Sequence, residues 1–461
     1  MQSRRPHSST VLTTGGESLT THSGASLLRQ TADIIGLTKT LSQALSPWRA
    51  PLAIHDPGKI VLDLTTAIAL GGDCLADLAA IRAQPALFGH VASDPTVSRL
   101  ITRLAADAPA ALAALRAAHA ITRQRVWSTA QVPAPIPQDG PVIVDLDATI
   151  LAAHSDKEGA TSTWKRTFGF HPILAFVDHG PGGTGEYVGG TLRIGRATAN
   201  DAGAHINLTT DVLAQLPEDV RNRVMIRGDA GAGVKEFIWH LHNADLSYSI
   251  GLQAGQRIAA AIPRVPRQAW RAAIDPDGSR RDGAQVADIS AWIEDLAPSW
   301  TARPWPPGMR IIARRERPNP GAQLGLTDVD GWRITIFATN ISGGRVAEHE
   351  LTHRLRARAE DRIRCLKDTG ARNLPLHSFA ANQIWLQIVG LANDLIAWTQ
   401  HLALSGTPAR CWEPKTLRLR LFAVAGRLVS SARRRTLRLA RDWPWSQLLL
   451  TGQHRLAALS P

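Results

Sequence analysis

The stretch VIVDLDATI, residues 142–150, decides how this chain of 461 residues is interpreted. Apolar and β-branched residues lead into Asp145 and Asp147, a pattern typical of a buried strand that ends on carboxylates. Because the two acids are two positions apart, their side chains share one face of the strand. The stretch therefore predicts an α/β protein whose chemistry depends on one or both carboxylates.

Two classes of enzyme place carboxylates in this way. A phosphatase of the haloacid dehalogenase type uses D-x-D-x-T, with Asp145 as nucleophile, and needs a downstream Gly-Asp followed four or five residues later by another Asp. Gly228 begins such a pair, but Gly233 and Val234 stand where the second acid is required. Since short motifs match often by chance, we favour the other class, a metal-dependent nuclease of the ribonuclease-H type with Asp147 as ligand.

The charge balance indicates a polyanionic partner. Lys and Arg total 52 against 39 Asp and Glu, a formal net charge of +13, and only seven of the basic residues are Lys. A GC-rich coding sequence would also favour Arg over Lys. The excess of basic over acidic residues nevertheless points to nucleic acid, and the guanidinium of Arg suits phosphate because it can donate two parallel hydrogen bonds.

Cysteines and apolar runs indicate a cytoplasmic protein. Cys74, Cys365 and Cys411 lie far apart without C-x-x-C spacing, so neither a disulfide framework nor a zinc site is expected. No apolar segment follows the basic N-terminus, and no run of 18 apolar residues occurs, so we expect no secretory signal and no membrane span.

Composition and periodicity divide the chain into six segments. Ser, Thr and Gly dominate the N-terminus, a Pro-rich linker follows the first helices, and Pro, Trp and Arg mark the later insertion. The predicted segments are 1–25, disordered; 26–132, a helical DNA-binding region; 133–252, the first part of an RNase H-like core; 253–340, a β-rich insertion; 341–410, the core helices that carry a catalytic Glu; and 411–461, a basic C-terminal region predicted to be helical.

The first part of the core has an ordered pattern of elements. Three strands joined by Gly-rich turns precede a helix, a strand that ends on Asp229, another helix and a fifth strand. This is the ribonuclease-H-like order, in which the first and fourth strands are neighbours. Asp147 and Asp229 can therefore share an ion, and Mg²⁺ prefers such carboxylate ligands.

A later helix supplies the third acid. In HRLRARAEDRIRCLK, residues 353–367, His353, Arg356, Glu360 and Lys367 follow at offsets of three, four and seven. These spacings place the side chains along one side of a helix. Glu360 would complete a metal site, and the basic residues would bind phosphates. A solvent-exposed helix with ordinary salt bridges would give the same pattern.

With these residues, the sequence resembles the DDE transposases of bacterial insertion sequences. The helix is similar to their signature Y-x2-R-x3-E-x6-K, with His353 in place of Tyr. Stretches such as DLDATI, LRIGRATANDAGAH, MIRGDAGAG and FAANQIWLQIVGLANDL resemble the insertion sequence 1380 family over residues 85–460. The resemblance implies an RNase H-like core with a β-rich insertion, catalytic and metal-binding Asp147, Asp229 and Glu360, and Asp145 as an alternative ligand.

The resemblance also implies a reaction and partners. Two Mg²⁺ ions, which Mn²⁺ can replace, would support hydrolytic nicking at terminal inverted repeats and attack of the freed 3′-OH on DNA. A homodimer on the bacterial nucleoid would hold two transposon ends and the target duplex. A catalytically inactive or repurposed DNA-binding copy is the alternative. The expected DNA contacts are His353, Arg356, Lys367, Arg99, Arg103, Arg433, Arg434 and Arg435.

Overall fold

The computed structural model describes residues 19–181, 184–293, 304–318, 321, 328–431 and 434–459. Its strands are β1 Leu19–Thr20, β2 Val142–Ala148, β3 Leu151–Ala152, β4 Thr161–Ser162, β5 Phe168–Phe170, β6 Ile173–Asp178, β7 Gly185–Thr191, β8 Val224–Gly228, β9 Ser247–Leu252, β10 Arg271–Ile274, β11 Arg280–Asp288, β12 Arg310–Glu316, β13 Arg333–Thr339, β14 Gly426–Ser431 and β15 Arg434–Leu439. Its α-helices are α1 Ser26–Ile34, α2 Leu37–Ala44, α3 Pro57–Ala69, α4 Leu78–Arg82, α5 Pro85–Phe88, α6 Asp94–Ala106, α7 Ala108–Trp127, α8 Ala202–Gln215, α9 Glu218–Arg221, α10 Lys235–Asn243, α11 Gln256–Ala261, α12 Val346–Arg354, α13 Arg358–Leu366, α14 Phe379–Leu402, α15 Pro414–Leu417 and α16 Ser446–Leu459.

A large mixed sheet organises the α/β fold. Nine strands are hydrogen-bonded in the order β10-β11-β12-β13-β9-β8-β2-β6-β7. β2, β6 and β7 form the predicted antiparallel meander, whereas β8 and β9 run parallel to β2. The predicted order of strands and helices in the first part of the core is therefore present, and β2 with its two acids lies inside the sheet.

The β-rich insertion extends this same sheet. β13 pairs antiparallel with β9, with Phe337 opposite Gly251, and β12, β11 and β10 follow outward. Without these strands β9 would be an open edge, which invites pairing with another chain. The insertion also has its own small core, which includes Trp270, Ile311 and Ile336.

The helices form a layer around one long buried helix. α14 is buried along nearly its whole length, including polar residues such as Gln387 and Asp394. One side packs on β7, where Gly390 lies against the ring of Tyr187 so closely that a Cβ would be 2.2 Å from ring atoms. Its other sides contact α1, α3, α6 and α7, so the predicted N-terminal helices pack onto the core.

Both ends of the chain differ from the sequence expectation. The basic C-terminal region was predicted to be helical. α15 and α16 agree with this prediction, but between them β14 and β15 form a hairpin, and β1 pairs with β14. Residues 19–25 are likewise ordered rather than disordered, because the Thr20 hydroxyl contacts Ser23 at 2.6 Å and donates to the carbonyl of Gly426. Residues 1–18 lie outside the described part. Among the described residues, none of the helices has the length and apolarity needed to cross a membrane.

Candidate active site

Two of the predicted acids lie at one edge of the central sheet. β2 and β8 are parallel neighbours, with Leu146 opposite Gly228. The next residue in each case is an acid, Asp147 in β2 and Asp229 directly after β8. The Oδ1 atom of Asp229 accepts a hydrogen bond from the N–H of Gly231 at 2.9 Å, which orients this carboxylate at the end of the strand.

The third acid, Glu360, acts on the same site. Asp147 is 8% exposed, and this burial is the main reason that its pKa is raised to about 7. The charges of Asp229 and Glu360 raise the pKa further, whereas Arg356 lowers it. Asp229 and Glu360 therefore lie near enough to Asp147 for their charges to act on it.

These carboxylates form an open arrangement. In the described part of the chain, the one group of three His, Cys, Asp or Glu residues with ligand atoms within 4.8 Å of each other is Asp73, Cys74 and Asp77, on the helical side of the protein. Repulsion between like charges keeps carboxylates apart when nothing neutralises them. Mg²⁺ usually takes only one or two carboxylates and completes its shell with water and phosphate, so an open set of oxygen donors fits such ions. Metal binding by this set remains a prediction.

Asp145 has a different environment from Asp147. Both of its oxygens accept hydrogen bonds from the guanidinium of Arg227, each at 2.7 Å, and the residue is 2% exposed. Arg227 also donates to Asp178 at 3.0 Å and to the carbonyl of Thr352 at 2.8 Å. These contacts disfavour Asp145 both as an alternative metal ligand and as the nucleophile of a phosphatase. They also leave no surface of Arg227 for DNA.

The signature helix is interrupted where the sequence predicted one continuous helix. α12 ends at Arg354, a 3-10 turn covers Leu355–Ala357, and α13 begins at Arg358. A short π-helix, Lys367–Ala371, then follows α13. The turn carries Arg356, whose Nη1 atom lies 3.6 Å from Oδ2 of Asp147. The turn thus positions a positive charge beside the buried carboxylate of Asp147.

Lys367 lies within electrostatic reach of the same acid. Burial lowers the pKa of Lys367, the charges of Arg372 and Lys165 lower it further, and Asp147 raises it. Lys367, Arg372 and Lys165 are therefore near one another, and Arg372 also pairs with Asp368 at 2.7 Å. Such a local excess of positive charge is suited to hold a phosphate.

His353 packs into the protein. Its ring stacks on Phe337 with centroids 4.3 Å apart, and its Nδ1 atom is 3.0 Å from the Ser249 hydroxyl. Burial is the main reason that its pKa falls to about 3, and the charge of Arg356 adds to the effect. The ring is therefore neutral at physiological pH, and a charged contact of His353 with phosphate, as considered from the sequence, is not supported.

We expect the free energy of unfolding to fall as the pH drops from about 6.5 toward 4, partly because of His353. An unfolded histidine has a pKa of about 6.5, so the unfolded chain binds more protons in this range and acid favours unfolding. The His353→Gln variant should lose up to about 1.4 kcal/mol per pH unit of this dependence. Urea denaturation at several pH values measures the slope. His90→Gln, a change at an exposed histidine, is the control and should keep the wild-type slope; an equal slope in His353→Gln would contradict the prediction.

The remaining predicted DNA contacts lie at the surface or outside the described residues. On α6, the exposed Arg99 donates to the Thr96 hydroxyl at 3.1 Å, and the exposed Arg103 donates to the carbonyl of Trp48 at 2.7 Å. Arg434 begins β15, and Arg435 is exposed on the same strand. Arg433 lies outside the described part. Their roles remain predictions.

The sequence reasoning missed one feature beside the site. A hairpin of β4 and β5 carries Trp164 and Lys165 at its tip, with 71% of Trp164 exposed. The Nζ atom of Lys165 lies 5.0 Å from the Trp164 ring centroid, and its charge acts on Lys367. The signal was available, since TSTWKRTF places an aromatic and two basic residues between polar strand residues, as in many nucleic-acid contacts.

Carboxylates gathered at one edge of a mixed sheet, with arginine and lysine beside them, are typical of metal-dependent enzymes that act on phosphodiesters. The sequence places the chain more narrowly. The family model described as Transposase DDE domain group 1 matches residues 3–461, so the chain belongs to this transposase family. No curated protein matches the chain. Among solved structures, a cryo-EM structure of the piggyBac transposase synaptic complex with hairpin DNA has a TM-score of 0.42 and 10% identity, over 86% of this chain and 78% of that chain.

Proposed function

We propose that this chain is an active DDE transposase of the insertion sequence 1380 branch, with an RNase H-like core. It binds the terminal inverted repeats of its element, cleaves the DNA ends and joins the 3′-OH to target DNA. The observation that supports this proposal most is that Asp229 and Glu360 raise the pKa of Asp147, since charges act on one another in this way at short range. An acid kept partly protonated at neutral pH by burial and by neighbouring acids is suited to bind a cation, which displaces the proton.

The proposed roles follow from the contacts. Asp147, Asp229 and Glu360 supply the oxygen ligands for two Mg²⁺ ions, or Mn²⁺ in their place, which when bound activate the attacking oxygen and stabilise the leaving oxygen. Arg356 favours the ionised form of Asp147 and lies where it can reach a phosphate oxygen. Lys367 adds a donor beside the site. In-line displacement at phosphorus depends mainly on positioning and charge neutralisation, which these residues provide.

The partners follow from the same proposal. The net charge of +13 gives salt-sensitive affinity for duplex DNA. Two transposon ends must be held together, so we expect a homodimer in the complex that pairs them. As the transposase of a bacterial insertion sequence, the protein would act on the nucleoid in the cytoplasm.

The Arg356→Gln variant should cleave inverted-repeat DNA about 10 to 100 times more slowly than wild type. Loss of a charged hydrogen bond removes about 1.5–3 kcal/mol, and each 1.4 kcal/mol is tenfold in rate. Without Arg356 the pKa of Asp147 rises, so part of the loss should be recovered at higher pH. The measurement is a cleavage time course with the full chain, Mg²⁺ and a labelled duplex that carries the inverted repeat, at pH 7 and pH 8.5.

The Arg364→Gln variant is the matched control. Arg364 lies on α13 but pairs with Asp361 at 3.0 Å and Glu413 at 2.8 Å, away from Asp147. We expect its cleavage rate to stay close to wild type. Equal losses in both variants would argue against a specific role of Arg356, and wild-type protein that binds the repeats without cutting them would favour the inactive DNA-binding copy.

A further inference from the structure

The C-terminal hairpin carries an unusual arrangement of positive charge. Residues 414–441 contain nine Arg or Lys residues and no Asp or Glu. Two of the nine support the fold, since Arg418 donates to the carbonyl of Asp368, and Arg420 lies over the rings of Trp412 and Trp445. The arginines of β14 and β15 have a different environment.

Arg427 on β14 lies directly opposite Arg438 on β15. Both residues are exposed, and on its other side Arg427 is opposite Leu19 of β1, which is 65% exposed. Directly opposite side chains on antiparallel strands have Cβ atoms about 4.5–5.5 Å apart, and like charges at this spacing are destabilising. Across the ranges that the structure describes, no carboxylate pairs with either arginine.

The other face of the hairpin is turned toward the protein. Leu428 and Leu437 are opposite each other and partly buried, and a Cβ at Gly426 would lie 2.5 Å from the Ser23 hydroxyl and 3.1 Å from Leu437. Residues alternate between the two faces of a strand. The face with Arg427 and Arg438 therefore points to solvent, and the hairpin cannot turn it inward without exposing the leucines.

We infer that the face formed by Arg427 and Arg438 binds the phosphate backbone of duplex DNA without regard to sequence. A repulsive pair that lowers the stability of the free protein becomes favourable when a polyanion neutralises both charges. Two adjacent guanidinium groups suit neighbouring phosphates, since each can donate two parallel hydrogen bonds. DNA is the partner that fits best because the chain belongs to a transposase family, and in this respect the inference rests on the proposed function. The hairpin adds a DNA contact that the resemblance did not assign to these two residues.

The test is to compare Arg438→Glu with Arg427→Gln/Arg438→Gln in the full chain. The probe is a duplex of unrelated sequence, titrated at several salt concentrations. Each lost phosphate contact should lower the slope of log affinity against log salt by about 0.9, which at about 0.15 M salt is about fivefold in affinity. We expect the double variant to lose about two such contacts. Arg438→Glu should weaken DNA binding while raising the melting temperature of the free protein, because it replaces a repulsive pair with an ion pair.

Arg221→Gln is the control, since Arg221 lies on α9, before β8 and thus at the opposite edge of the sheet from Asp229; its salt dependence should equal wild type. An unchanged slope in folded Arg438→Glu and in the double variant would overturn the inference. If the variants keep the salt dependence of DNA binding but lose binding to anionic lipid vesicles, the inference is also overturned, and the face is assigned to membranes. The two proposals fail separately: retained cleavage by Asp147→Asn would overturn the proposed function and leave the salt dependence as it is.

Discussion

Asp147→Asn is expected to lower the rate of inverted-repeat cleavage by about a thousandfold while leaving DNA binding close to wild type. The amide lacks the charge needed to hold a divalent ion, and loss of about 4 kcal/mol of charge stabilisation in the transition state corresponds to this factor. Cleavage assays with Mg²⁺ and binding assays without it, on the same labelled duplex, separate the two effects. Cleavage at the wild-type rate would show that Asp147 is not a ligand.

The same variant has a second, independent readout. The pKa of Asp147 is raised in the folded protein, so its ionisation destabilises the fold as the pH rises from about 4 toward 7. An uncharged Asn removes this penalty, and the metal-free variant should therefore melt at a higher temperature than wild type at pH 8. A catalytic site that lowers stability is expected where like charges are gathered for function.

Asp145→Asn is the matched comparison within the motif. Its carboxylate is bound to Arg227 rather than facing Asp229 and Glu360. We expect a loss of about 1.5–3 kcal/mol in unfolding free energy, the range for hydrogen bonds to charged groups, with a smaller loss of cleavage than in Asp147→Asn. If Asp145→Asn abolishes cleavage in a fully folded protein while Asp147→Asn does not, the assignment within the motif is wrong.

The sequence predicted the central part of the fold because the relevant signals are local. Apolar runs that end on an acid identify β2 and β8. The helical segment predicted before β8 allows the chain to return, so that β8 can pair parallel with β2. An acid at each strand end then gives two members of the site. The helix that carries Glu360 was found from a spacing of charged residues, which is again a local pattern.

Other features depend on contacts that no local pattern contains. Asp145 and Arg227 are 82 residues apart, and nothing near either residue reveals the pair. Burial lowers the pKa of His353, and the ring of His353 stacks on Phe337, which comes from a different segment of the chain. The helix is likewise interrupted at Arg356, whose guanidinium lies 3.6 Å from the distant Asp147.

The C-terminal region shows how composition can mislead. The region was predicted to be helical throughout, yet Leu437 and Leu439 alternate with Arg438, which is the period of a strand. The hairpin is completed by residues 19–20 from the other end of the chain. A pairing across more than 400 residues has no signature in either segment.

Arg227→Met is expected to lower the free energy of unfolding by about 3–5 kcal/mol, the range for removing one partner of a buried ion pair. Arg227 is 1% exposed and lies between Asp145 and Asp178. Asp178 keeps a contact with Arg358 at 3.0 Å, so Asp145 is the acid left without a partner. Burial already raises the pKa of Asp145, and without Arg227 the pKa rises further. The stability loss should therefore shrink as the pH falls and Asp145 takes up a proton.

The double variant Arg227→Met/Asp145→Leu separates the charge from the packing. Replacing a whole buried ion pair with apolar residues is often neutral or stabilising, so the double variant should recover most of the lost stability in urea denaturation. Arg227 also donates to the carbonyl of Thr352, four residues before Arg356. For this reason cleavage should stay reduced in the double variant even when stability returns, because α12, which leads into the turn with Arg356, loses its link to β8. A double variant as unstable as Arg227→Met would mean that the Thr352 contact, rather than the unpaired Asp145, accounts for the loss.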